Sequence, residues 1–147
     1  MENTDIRFDG VLMLTLNKAN GEKTTFCKHN MIVNVGYDFI CNSLAGTTRP
    51  TVLSHIALGT GTTAAADTQT ALVTEASRLA ATYAHTAGTK TFTMTATFDA
   101  GVATGAITEA GVFNAASSGT MFDRITFPVI NKGADDTITA QFTFTLS

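Results

Sequence analysis

The chain has 147 residues, a net charge of −3, 44% hydrophobic residues and only 14% charged ones. That length makes one domain, 1–147, able to bury a core without metal or disulfide support. The nine Lys and Arg are scattered singly, which excludes the clustered cations of a nucleic-acid surface, and no apolar run is long enough for a membrane-spanning helix.

Residues 6–16, IRFDGVLMLTL, alternate and then become apolar, which predicts a strand. Asn17 to Glu22 is a turn built on Asn20-Gly21, and 23–33, KTTFCKHNMIV, is the returning strand of a hairpin. Over 35–45 the period changes. Tyr37, Ile40, Cys41 and Leu44 fall at helical spacing, with Asn34 as N-cap and Gly46 at the end. Short segments follow at 53–58 (a strand), 59–67 (a loop) and 70–75 (a helical turn). The rest reads as β: 78–85, 90–99, 106–113, 121–129 and 137–146, joined by turns rich in Gly, Asn and Asp. Threonine supplies roughly a fifth of the chain, and it favours a half-buried pleated surface. The expected fold is an all-β antiparallel sandwich, jelly-roll-like, with one short α-helix.

Gly59-Thr60-Gly61-Thr62-Thr63-Ala64 fits the G-x-G-x-x-G/A turn of dinucleotide-binding folds. The context does not: no βαβ units surround it, and no Gly-Lys-Ser/Thr follows to hold a phosphate. The two glycines are expected instead to give a tight, positive-φ connection. Phe26-Cys27-Lys28-His29 has the look of a metal-ligand fragment, with His55 and His85 elsewhere, but no paired ligand spacing supports it. Neither a metal nor a cofactor is therefore expected. Cys27 and Cys41 are expected as free thiols in a chain whose first residues, MENTDIRFDG, show no basic-then-apolar signal pattern.

Glu109 stands inside the apolar segment 107–113, where an unpaired carboxylate is expensive. Arg78 and Arg124 also lie in apolar strands, so an ion pair of Glu109 with one of them is the expected resolution. Catalysis would need a second carboxylate, a Ser-His-Asp set or a metal cluster in similar surroundings, and none is legible, so no enzyme activity is expected. With no Trp and only two Tyr, a carbohydrate-binding platform is not favoured either.

The stretch "IALGTGTTAAADTQTAL", the later "ITEAGVFNAASSGTMFDRITFPVINKGADDTITAQFTFTL", and "NMIVNVGYDFICNSLAG" ahead of them resemble a group of small virion structural proteins of tailed bacteriophages. The resemblance covers roughly residues 30–146. It implies a virion protein, made in the host cytoplasm, that binds the phage major capsid protein and copies of itself. A capsid decoration (cement) role is the first expectation and a tail or tail-fibre role the alternative. A surface so poor in charge fits such neighbours. The expected contacts are a possible N-terminal arm, residues 1–9, with Asp5, Ile6 and Phe8, and two small-residue loops. Those loops are 60–67, with Thr60, Thr62 and Thr63, and 114–119, with Asn114, Ser117 and Ser118.

Overall fold

The structure, a computed structural model, describes residues 6–147. Ten strands and one helix follow in order: β1 Phe8–Asn17, β2 Lys23–His29, β3 Met31–Ile32, α1 Asn34–Ala45, β4 His55–Gly59, β5 Glu75–Ala80, β6 Thr82–His85, β7 Thr91–Phe98, β8 Gly105–Phe113, β9 Met121–Lys132 and β10 Thr137–Leu146. They form two five-stranded sheets, A in the order β2-β1-β10-β7-β6 and B in the order β3-β9-β8-β4-β5. All pairings are antiparallel. The antiparallel sandwich with one short helix is what the sequence predicts. Its strand order departs from a two-Greek-key jelly roll: β1–β2, β4–β5, β6–β7 and β8–β9 are hairpins that each stay within one sheet.

The core follows from period-2 alternation. In sheet A, Leu12, Leu14 and Leu16 of β1, Met94 and Phe98 of β7, and Ile138, Phe142 and Phe144 of β10 point inward and are buried. Opposite them sheet B contributes Ile56, Leu58, Ile107, Val112 and Ile125. Each buried side chain of this size is worth about 1.5–3 kcal/mol. Apart from Asp9 near the start of β1, the outward residues of the same sheet A strands are neutral. Met13, Gln141 and Thr95 make one cross-strand row, and Val11, Thr143 and Thr93 the next. Thr15, Thr139 and Thr97 make a third.

Two segments that look like single strands are each divided between the sheets. Residues 23–33 split at Asn30, which keeps a bond to sheet A through its N–H to Gly10 O (3.0 Å) while Met31 and Ile32 pair with β9. Residues 78–85 split at Ala81, whose N–H turns to Ser54 O (2.8 Å). Continuous β-propensity does not reveal such a switch, because both halves remain extended. The helical turn expected at 70–75 is absent: 70–74 are irregular and Glu75 opens β5.

The helix is present but rotated from its expected face. Gly36, Phe39, Ile40 and Ser43 turn inward, whereas Tyr37 (50% exposed), Cys41 and Leu44 (74% exposed) face out. Asn34 is its first residue rather than its N-cap; that position is Val33, which makes no side-chain cap bond. Gly46 closes the helix, its N–H bonding Asn42 O at 3.1 Å. The reason for the rotation is Gly36, where a Cβ would overlap the Phe122 carbonyl oxygen of β9. Close backbone approach, which no hydrophobicity pattern registers, sets the packed face.

Gly36→Ala is accordingly expected to cost about 1–3 kcal/mol by overpacking, whereas Leu44→Ala should stay within about 0.5 kcal/mol. Urea unfolding of the two variants checks the orientation of α1, and the reverse ranking would refute it.

Candidate functional site

The outer face of sheet B is where the charged residues singled out in the sequence converge. Cross-strand register sets Arg78 of β5, Ala57 of β4, Gly111 of β8 and Arg124 of β9 in one row, and Gly59 and Glu109 in the next. A register shift between Ile107 and Glu109 accompanies the turning of Thr108 and Glu109 toward the 60–74 segment, where both find partners.

Glu109 and Arg124 are both 0% exposed and form an ion pair. Arg124 Nε and Nη2 donate to Glu109 Oε2 at 2.9 and 2.8 Å. Val73 N–H adds a third bond to Oε2 at 3.0 Å, while Oε1 accepts Gly61 N–H at 2.9 Å and Thr74 N–H at 2.7 Å. Five donors fill the roughly four lone-pair directions of a carboxylate. Burial pushes the Glu109 pKa up, but the bonds from Thr74, Val73, Arg124 and Gly61 outweigh it and hold the group below its ordinary value. It is an ionised, saturated acceptor with no room for a substrate atom. Arg124 uses its remaining Nη1 on Gln69 Oε1 (2.9 Å), which also accepts Ala66 N–H (3.0 Å). Thr108 Oγ1 donates to Gly61 O at 2.8 Å. One buried pair thus fastens both ends of the 60–74 segment to the sheet.

The glycines of the G-x-G-x-x-A match take their meaning here. Neither Gly59 nor Gly61 has positive φ, contrary to the expectation for a tight turn. A Cβ at Gly59 would come within 2.5 Å of Glu109 Oε1, and one at Gly61 within 2.6 Å. They are glycine so that the backbone can touch a carboxylate on its own sheet.

Arg78 is not brought to Glu109. It pairs with Glu75 (Nη2 to Oε1, 2.6 Å), and its guanidinium lies 3.6 Å over the Phe113 ring. Its Nη1 donates to Ala115 O and Ser118 O at 3.0 and 2.9 Å, which ties down the 114–119 loop. Asn114 also belongs to that loop's frame, accepting Thr120 N–H on Oδ1 at 2.7 Å. Ser117 and Ser118 stay exposed, as do Thr60, Thr62 and Thr63 on the other loop. Of the arm residues, Asp5 lies outside the described residues and Ile6 is 87% exposed. Phe8 does not fit an interface assignment: its ring packs against Phe92, Phe122 and Phe144.

Three buried or bonded polar residues escape the sequence reading. Asp123 is fully buried in β9, and Asn30 donates to it. Lys132 is buried with Nζ on Asp99 O (2.9 Å), and burial lowers its pKa against the fields of Asp136 and Asp99. The signal for Asp123 is the same as for Glu109, an acid inside an apolar strand, here MFDRITF. The adjacent arginine hides it, because neighbours on a strand point to opposite faces.

Two clefts of similar size gather no acid–base pair. One, about 420 Å³, runs along β9 past Lys28, Thr62, Thr108, Thr126 and Pro128. The other, about 400 Å³, lies between α1 and β6–β7 and is walled by Phe39, Val52, Leu53, Tyr83, Phe92 and Met94. His55 and His85 bond Ser54 Oγ and Thr91 O, each at 2.8 Å. Among the described residues no three His, Cys, Asp or Glu side chains cluster as metal ligands, and no helix is long and apolar enough to cross a membrane. Comparison of the chain with protein-family models, with curated proteins and with solved structures found no match.

Breaking the pair from either side, by Glu109→Gln or Arg124→Met, is expected to cost about 3–5 kcal/mol because the other charge is left buried. A carboxylate with a lowered folded pKa stabilises above its unfolded value of about 4.5. That contribution is lost as the pH falls through the folded value. Urea midpoints should drop on acidification below pH 4.5 in the parent and less steeply in Glu109→Gln, and equal slopes would remove Glu109 as the cause.

Proposed function

We propose that this chain is a structural binding protein of a tailed-phage particle, and that its first role is to decorate the outside of the head shell. The observation that carries this reading is the outer face of sheet A. It spans five strands and no described element packs on it. Its central rows hold no charge, and charged side chains come only toward the ends, as Asp9 and Lys23. At strand spacings of about 4.8 Å, such a face covers on the order of 500 Å². That approaches one side of a standard protein–protein interface, about 800 Å².

Two pairs of hydroxyls on the face are engaged across strands, Thr97 with Thr139 and Thr91 with Thr145, both at 3.2 Å. Covering these pairs therefore strands none of their four hydroxyls. A flat neutral surface asks little electrostatic matching of its partner and costs little desolvation. The resemblance of residues 30–146 to phage virion proteins supplies the partner class, the major capsid protein together with copies of this chain. Binding to the assembled lattice but not to free subunits would stabilise the shell by mass action, and many copies would act together. The titratable residues best placed for chemistry are consumed by the fold, which weighs for binding over catalysis.

The same resemblance supports a tail or tail-fibre role as the second reading. Hundreds of copies per particle favour the shell, and a few to a few dozen favour the tail.

The test is co-sedimentation of the purified chain with empty phage shells, comparing the parent with Met13→Lys/Thr143→Lys. Both substitutions sit on the outer face, so Tm should change little while retention on shells falls at least tenfold. Undiminished retention of the double variant would overturn the face assignment, and no retention of the parent would overturn the shell role.

A further inference from the structure

We propose that Asp123 is a pH-sensitive clasp, a carboxylic acid kept neutral between the two sheets whose ionisation weakens the fold where the chain crosses from sheet A to sheet B. Asp123 is 0% exposed and stands at the register shift between Val112 and Phe113. Its Oδ1 accepts Val112 N–H at 2.8 Å, filling the gap left in the ladder. Its Oδ2 accepts from Asn30 Nδ2. Asn30 is the crossover residue itself, bonded to β1 through Gly10 O. Gly10 is glycine for the same junction, since a Cβ there would overlap the Asn30 carboxamide. The acid thus links β1, the β2–β3 crossover, β8 and β9.

The donors to the carboxyl, a backbone N–H and a carboxamide, are both neutral, and no cation reaches it. Arg124 and Glu109 bond each other on the opposite face of sheet B. Lys28, at the edge of β2, spends its ammonium on Thr126 O at 2.7 Å. Asp9 and His29 lie at outward register positions of sheet A. Tyr37 and Asp38 of α1 are exposed. The contrast with Glu109, which has five donors including a guanidinium, is complete. Asn30 Oδ1 is meanwhile the one buried side-chain polar atom without a partner among the described residues. A protonated Asp123 can bond this carboxamide from either end, accepting from Nδ2 or, with the amide turned, donating to Oδ1. An ionised one can only accept. Burial accordingly pushes the Asp123 pKa well above its ordinary value of 3.8, against the opposing bonds from Val112 N–H and its own N–H.

The linkage has the opposite sign to that of Glu109. With the folded pKa raised, the folded chain binds the extra proton, so stability is fully present below about pH 4 and is lost as pH rises through the folded value. Across that window the folding constant falls up to about tenfold per pH unit.

The full chain is unfolded in urea from pH 5 to 8 as the parent and as Asp123→Asn, which is permanently neutral, can accept the Val112 N–H on its oxygen and, with the Asn30 amide turned, can donate its own NH2 to Asn30 Oδ1. The parent should lose stability with rising pH relative to the variant, and parallel curves overturn the clasp. Carboxyl ¹³C titration of the parent reads the proton directly and does not depend on the variant folding. The Asp123 resonance should show no step near pH 4, and a midpoint there would overturn the proposal.

Discussion

A carboxylate placed inside a β-sheet has to be answered by something, and in this protein the answer determines which surfaces exist. Glu109 is met by one guanidinium and three backbone N–H groups of the 60–74 segment. That segment has no regular structure of its own and would otherwise gain little by lying on the sheet. Held there, it places Leu72 over Ala57, Phe113 and Met121, a small second core completed by Val33 at the entry to α1. Sheet B is therefore covered on both faces and sheet A on one. The cover on sheet B, and with it the contrast between the two outer faces, follows from where one buried acid sits.

The buried charges show three ways of managing the same desolvation problem. Glu109 and Arg124 remain ionised and neutralise each other. Asp123 is served by neutral donors alone. Lys132 rests on the Asp99 carbonyl in the field of two acids. A chain with few ionisable residues thus places four of them inside, Glu109, Asp123, Arg124 and Lys132. The surface is left poorer in charge than the composition alone suggests, which sharpens the argument that neighbours cover part of it. Burying ion pairs is a weak source of net stability. What these contacts supply is register, fixing the 60–74 segment on sheet B and the crossover at Asn30 in single arrangements.

The strands were legible because alternation of apolar and polar residues directly reflects one buried face, as in 137–146. The ion-pair candidates were legible too, because a charge in an apolar strand is conspicuous. The choice between Arg78 and Arg124 was not, since it depends on register across four strands. Arg78 and Arg124 share one cross-strand row, separated by Ala57 and Gly111, and only Arg124 ends beside Glu109. The sheet switches at Asn30 and Ala81 left no trace in hydropathy, and neither did the face of α1 fixed by Gly36. The glycines at 59 and 61 were noticed for a phosphate motif and explained by φ. Their cause is steric, the approach of backbone to a side chain that lies 48 residues beyond Gly61 in sequence. Close-approach glycines of this kind become intelligible only once the partner surface is known.

Edges decide how such a sandwich can meet other chains. An open edge invites strand addition, and this protein guards each of the four. β3 has two residues and β6 four, too short to template a long partner. β2 carries Lys23 and Lys28, and β5 carries the Glu75–Arg78 pair. Beyond β3, the free side of β9 holds Pro128, which offers no donor, and Lys28 occupies the Thr126 carbonyl oxygen. With strand addition disfavoured along every edge, association has to proceed through faces or loops. Of the two sheet faces turned outward, that of sheet A is the one left uncovered by the described residues. That face has uncharged central rows and two cross-strand hydroxyl pairs, Thr91–Thr145 and Thr97–Thr139, so a partner meeting it would contact side chains and not open backbone edges.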